Sequence, residues 1–177
     1  MIFTPTPLES AFLIDPEFRT DQRGGFARTF CRTEFEKQGL NPLVEQSNMS
    51  FNPRKGTLRG LHYQTPPAAE AKYVRCTQGA VFVAIIDLRP ESKTHLRHFG
   101  VELTAAGRRA LYVPEVFAHG YLTLEDDTEV AYNTSSPYMP EYERGIRFDD
   151  PLFGIRWPLP IESISEKDLW WPPYTIG

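Results

Sequence analysis

The sequence predicts an all-β fold: a sandwich, barrel or jelly roll with a few short helices. Three observations point there. Turn signals return roughly every ten residues between short runs that alternate or are apolar throughout. Aromatic residues make up 13% of the chain and Pro is 16 of its 177 residues, a composition that suits short strands and turns. Helix signals are confined to two short stretches, after Thr33 and after Ser165.

Taken in order, residues 8–15 alternate loosely and read as a strand. Asp15-Pro16 and Asp21-Gln22-Arg23-Gly24-Gly25 mark loop and turn. Phe26, Arg28 and Phe30 recur at period two, as in a strand. Thr33 is placed to cap a short helix, Glu36 to complete a capping box, and Gly39 to stop it. From Leu43 the pattern is β, with strands expected over 43–51, 57–64, 72–77, 80–88, 99–103, 109–113, 120–124 and 128–133. The run 80–88 is apolar almost throughout, which fits a strand buried on both faces. Beyond Pro137 the chain is rich in Pro, Trp and Tyr and reads as irregular wrapping, with a short helix at 165–168. No repeat, low-complexity tract or linker interrupts it. Residues 1–177 are therefore expected to form one domain with an N-terminal strand and a C-terminal wrapping segment.

Composition removes several classes of function. A net charge of −4 supplies no basic face, so nucleic acid is not an expected partner. No run approaches the roughly 18 apolar residues of a membrane span. The N-terminus lacks a basic segment followed by an apolar core, so no secretion signal is expected. Cys31 and Cys76 lack metal-type spacing and read as reduced thiols of a cytoplasmic protein.

The candidate chemistry centres on Arg59-Gly60-Leu61-His62-Tyr63-Gln64, with Gln46 and Asn48 before it and Lys72 after it. His95 and His98 lie in a polar stretch and read as surface residues. His62 lies within a strand, where alternation places Gly60 and Gln64 on its own face and leaves room for a ligand. His119 follows Pro114-Glu115-Val116-Phe117-Ala118 and precedes Gly120, a loop entering a strand. Arg59 and His62 are three apart, so a regular strand aims them at opposite faces. They share a site only if the strand bulges, and Gly60 is the place for it.

A metal reading takes His62, His119 and Glu70 as ligands, but Gln64 stands where a second strand histidine is wanted. Two histidines and one Glu make a poor transition-metal site. A metal-free histidine base needs a carboxylate to fix its tautomer. Asp87, Asp126, Asp127, Asp149, Asp150 and Asp168 are all candidates. Lys72 is either a solvated edge lysine or a charge for a developing oxyanion. Tyr132 is either a core tyrosine or a proton donor facing His62.

Together the motifs resemble a family. They are Arg23-Gly24-Gly25-Phe26, Gln46-Ser47-Asn48-Met49-Ser50, Gly56-Thr57-Leu58-Arg59-Gly60-Leu61-His62-Tyr63-Gln64, Ile86-Asp87-Leu88-Arg89-Pro90, Val113-Pro114 with Phe117-Ala118-His119-Gly120-Tyr121, Thr128-Glu129-Val130 with Tyr132, and Ser165-Glu166-Lys167-Asp168. In this order, over nearly the whole chain, they are similar to the dTDP-4-dehydrorhamnose 3,5-epimerases. The resemblance implies a cupin-type jelly roll and a metal- and cofactor-independent epimerase of a nucleotide-linked 4-keto-6-deoxyhexose. It implies that His62 is the base for C5 and C3, with Asp168 its dyad partner. Tyr132 is then the opposing acid, and Lys72, with His119 nearby, stabilises the enolate oxygen. Arg59, Gln46, Asn48 and Arg23 hold diphosphate, sugar and nucleotide, while Phe26 and Tyr138 line the pocket. It implies a homodimer with exchanged N-terminal strands. Arg28 stands where many relatives carry Glu. Other readings keep the fold and change the outcome: a single-centre epimerase or ketoisomerase for another nucleotide sugar, a metal-dependent oxygenase, or a non-catalytic sugar-binding module.

Overall fold

The computed structural model describes residues 1–175. In chain order its strands are β1 (Ile2–Pro5), β2 (Phe12–Asp15), β3 (Arg19–Asp21), β4 (Gly24–Phe26), β5 (Gln46–Asn52), β6 (Thr57–Gln64), β7 (Lys72–Gln78), β8 (Ala80–Asp87), β9 (His98–Thr104), β10 (Ala110–Val113), β11 (Phe117–Thr123), β12 (Thr128–Thr134), β13 (Glu143–Gly145) and β14 (Ser163–Ile164). The helices are α1 (Arg32–Lys37) and α2 (Glu166–Leu169). Two antiparallel sheets stack as a jelly-roll sandwich. One runs β1-β2-β10-β7-β12-β5; the other runs β13-β6-β11-β8-β9, with β14 added parallel to the start of β6. β3 and β4 form a hairpin outside both sheets. Among the described residues no helix is long and apolar enough to cross a membrane.

Alternation builds the interior. Val74 and Cys76 of β7, Val83 and Ile85 of β8, and Leu111 and Val113 of β10 meet in one apolar cluster between the sheets. Each such aliphatic side chain contributes about 1.5–3 kcal/mol on burial. Ala84 and Ile86 point the other way. There, with Leu61, they are covered by Ile146 and Phe153 of the C-terminal segment. That covering explains why β8 is apolar on both faces. On the far side of the other sheet, α1 sets Phe35 edge-on against Tyr73 and Tyr112.

Several local expectations are corrected. α1 starts at Arg32 with Cys31 as N-cap and no side-chain cap; Thr33 already lies in the first turn, so the capping box does not form. Its end is as expected: Gly39 has φ +71°, and the Gly39 and Leu40 N–H groups return to the carbonyls of Glu36 and Phe35. The strand over 8–15 shortens to β2, because Leu8 and Ala11 are tied into a turn in which Ser10 has φ +66°. The run 26–30 is strand only at Phe26, where pairing with β3 ends. β13, three polar or glycine residues stitched to β6 by backbone, falls in the stretch read as irregular. His119 lies within β11 rather than in a loop before it, since the strand begins at Phe117.

Candidate active site

The site begins with an irregularity in β6. In its pairing with β11, His62 faces His119 and Arg59 faces Tyr121. Three steps along β6 thus match two along β11, so β6 holds an extra residue, a bulge. Arg59 and His62 consequently share the inner face, while Leu61 packs outward. Gly60, at φ +102°, sits at the extra residue, and a Cβ there would lie 2.6 Å from the His119 carbonyl oxygen. Facing it, a Cβ on Gly120 would lie 2.8 Å from the Arg59 oxygen. The two glycines let the backbones approach where side chains would hold them apart.

The carboxylate arrives from the other end of the chain. β14 pairs with Thr57 and Leu58, which delivers α2 to the middle of β6. Ser165 caps α2 by accepting the Asp168 N–H. Asp168 is buried, with one oxygen 2.5 Å from His62 Nε2 and the other accepting the Gly60 N–H at 3.2 Å. Burial pushes its carboxyl up, but the bond to His62, the charge of that ring, the Gly60 N–H and Ser165 together hold it below the usual range. An ionised Asp168 fixes the His62 proton on Nε2 and leaves Nδ1 as the basic nitrogen. Of the other carboxylates considered, Asp87 is held by Arg89, Ser92 and Thr94, Asp149 by Arg147, and Asp150 accepts backbone N–H groups.

The facing wall comes from β5, β12 and β7. Lys72 Nζ lies 2.6 Å from Glu70, and both side chains are about nine-tenths buried. Gln64 Nε2 donates to Glu70, to the Ala68 carbonyl and to the Pro137 carbonyl, while its Oε1 accepts the Met139 N–H. Glu70 is thus turned to Lys72 and Gln64, not toward a centre shared with His62 and His119. Among the described residues no group of three His, Cys, Asp or Glu is placed to hold a metal ion. The Tyr132 phenol is pushed up by burial and by neighbouring Tyr121 and Glu70, with Arg59 opposing. His119 is driven well below the ordinary histidine value by burial, then by the charges of Lys72 and His62. This favours the neutral ring, and among the described residues its buried Nε2 has no hydrogen-bond partner.

The rim orients the remaining groups. Arg59 Nε donates to Asn52 at 2.7 Å. Tyr138 donates its hydroxyl to Glu143 at 2.7 Å and its N–H to Gln46. Lys167 also pairs with Glu143. The cleft has a volume of about 810 Å³ and is lined by His62, Asp168, Tyr132, Lys72, His119, Arg59, Gln46, Asn48 and Tyr138, within the range for small-molecule sites. All of these were singled out in the sequence. Glu143 and Lys167 also line it, and neither is among the residues the sequence points to. Lys167 lies within Ser165-Glu166-Lys167-Asp168, whereas Glu143 lies in a Pro-rich stretch without periodicity.

Arg23 and Phe26 are not brought to this cleft. Both lie on the β3–β4 hairpin, where the Arg23 side chain is 84% exposed and paired with Asp21, and Phe26 is 73% exposed. A two-stranded ribbon outside both sheets cannot carry them to its own chain's interior. Arg28 pairs with Glu34, which also holds the N-terminal amine.

Comparison with known proteins gives a consistent result. The family model described as dTDP-4-dehydrorhamnose 3,5-epimerase matches residues 5–175. The protein of that name from Methanothermobacter thermautotrophicus is 43% identical, over 97% of this chain and 93% of its own. The crystal structure of the Elizabethkingia anophelis protein superposes with a TM-score of 0.95 at 36% identity, covering 98% of this chain and 96% of that one. The Bacillus anthracis structure, with TDP and PPi bound, superposes at 0.93 with 34% identity, covering 98% of this chain and 99% of that one.

Proposed function

The chain belongs to the dTDP-4-dehydrorhamnose 3,5-epimerase family, and we propose that it inverts C3 and C5 of a dTDP-linked 4-keto-6-deoxyhexose. The observation that carries this reading is the division of the cleft into two walls. The His62–Asp168 dyad stands on the β6 side, while Tyr132 and Lys72 stand on the facing sheet. Inversion needs a base on one face of the sugar and an acid on the other. His62 Nδ1 takes the proton α to the ketone, and Asp168 stabilises the imidazolium that results. The electron pair moves into an enolate whose C4 oxygen meets Lys72 and neutral His119. Tyr132 returns a proton from the opposite face, and both groups then exchange protons with water. Arg59 serves the diphosphate; Gln46 and Asn48 serve the nucleotide and sugar; Tyr138 lines the rim. These steps use side chains alone.

We also propose a cytoplasmic homodimer in which the N-terminal segment is exchanged, so that Arg23 and Phe26 reach the partner's cleft. Supporting this, the hairpin is exposed along its length, and edge strand β5, beside the cleft, leaves Met49 62% and Phe51 49% exposed. In solution the mass should be that of two chains, and Arg23→Ala should raise KM more than it lowers kcat. A monomer with full activity would remove this part of the proposal.

The decisive experiment is incubation with dTDP-4-keto-6-deoxyglucose in deuterated water, followed by NMR. Deuterium should enter at both C3 and C5. Exchange at one centre only would make the enzyme a single-centre epimerase. Exchange only with a GDP, CDP or UDP sugar would change the substrate.

A further inference from the structure

We propose that Trp171 is a positioning residue for His62, holding the imidazole by ring contact alongside its bond to Asp168. The inference rests on His62 being the base. Trp171 follows Asp168 by three residues, just beyond α2, so the segment that supplies the carboxylate also supplies the indole. Its neighbour Trp170 is 80% exposed, whereas Trp171 is turned inward and is half-buried. The indole lies against Gly145 of β13, the residue in direct register with His62. A Cβ at Gly145 would come within 2.1 Å of indole Cε2 and 2.2 Å of Nε1. Gly145 is therefore the opening in β13 that lets an indole stand next to the base. The His62 and Trp171 rings meet edge to face, centroids 6.4 Å apart at 68°, an arrangement favoured by the ring quadrupoles. Lys167 Nζ lies 5.8 Å from the same indole ring and pairs with Glu143 on the rim.

The Trp171 Nε1 atom is buried and, among the described residues, has no hydrogen-bond partner. The indole meets His62 through its ring. What it contacts is the base. Asp168 fixes one ring nitrogen, but a single hydrogen bond leaves the imidazole free to swing about it. The indole ring packed against the imidazole limits that freedom. Small displacements of a reacting group cost rate steeply, up to about 100-fold for 1 Å.

The test uses Trp171→Phe, Trp171→Leu and Gly145→Ala in the full chain. Three readouts apply: kcat and KM for the 4-keto sugar, melting temperature, and the His62 imidazole resonance, identified by its loss in His62→Asn. Trp171→Leu should lower kcat roughly 10- to 100-fold with KM within about threefold, and should shift the His62 resonance. Trp171→Phe, which keeps a ring edge, should recover most of both. Gly145→Ala, by pushing the indole away, should resemble Trp171→Leu and add nothing to it in the double variant. Unchanged kcat in Trp171→Leu would overturn the proposal. So would a fall in kcat with the His62 resonance unmoved, or full additivity with Gly145→Ala. If wild-type protein fails to turn over the sugar, the proposed function falls. The resonance, together with additivity in melting temperature, would still decide whether Trp171 positions His62.

Discussion

The two ends of the sandwich interior are built by the same strands yet do opposite things. β7 places Lys72 at one end and Val74 and Cys76 at the other; β12 places Tyr132 and Thr134 at one and Val130 at the other. The apolar end is filled by side chains that interdigitate. The polar end holds an open cleft whose groups bond one another in pairs: His62 with Asp168 and Lys72 with Glu70. Period-two alternation selects the inward face in both cases. Whether that face closes or stays open depends on which residues occupy it. The polar end should therefore carry activity and the apolar end stability, and each substitution below tests that division.

The largest effect is expected at the dyad. His62→Ala should reduce deuterium exchange at both sugar positions by about 10³-fold or more, near the upper range for a placed general base. The ring itself is about one-third exposed, but its loss leaves the buried Asp168 carboxylate without its main partner, so a modest fall in melting temperature is expected beside the loss of exchange. Full exchange in this variant would remove His62 as the base. The opposite pattern is expected at Leu111, fully buried in the apolar cluster. Leu111→Ala should cost about 2–5 kcal/mol of stability, read by denaturant unfolding, with near-normal kcat in the folded fraction. A large loss of kcat without loss of stability would mean that the two ends are not separable. Tyr132→Phe should retain part of the exchange but lose inversion, by roughly 10²-fold; unimpaired inversion would assign the acid elsewhere.

The sequence disclosed the apolar end more fully than the polar one. β6, β7, β8 and β12 were readable because alternation and flanking turns follow directly from burial. β11 begins earlier than expected, since Pro114-Glu115 looks like a loop, yet Phe117, directly after Val116 at φ +60°, already pairs with Asp87 of β8. The bulge in β6 was readable as a condition, that Arg59 and His62 share a face only if Gly60 yields. Its register with β11 is a tertiary fact. The residues alone left the dyad carboxylate open among several aspartates, because what selects Asp168 is the docking of β14 beside Thr57 and Leu58. Glu143 and Trp171 were invisible for a related reason. Both are tied to strand β13, which has no apolar pattern and pairs with β6.

The smallest expected effect lies where the two ends meet. His119 sits on β11 between Phe117 and Tyr121, both in the apolar cluster, yet it lines the cleft. It combines core burial with an ionisable ring, and burial, Lys72 and His62 lower its proton affinity. In the unfolded chain the same ring titrates near the ordinary histidine value of about 6.5. Below that pH the unfolded state binds a proton that the folded state refuses, so stability falls as pH falls. The loss from one such group is at most about 1.4 kcal/mol per pH unit. The Asp168 carboxylate, whose folded value is also depressed, adds its own loss only further down, below about pH 4. Between roughly pH 6 and 5, then, His119→Gln should flatten the dependence of unfolding free energy on pH. Denaturant titrations at those two values measure it. An equal slope in variant and wild type would show that His119 is charged in the folded protein, and with it that the polar end is wetter than its burial implies.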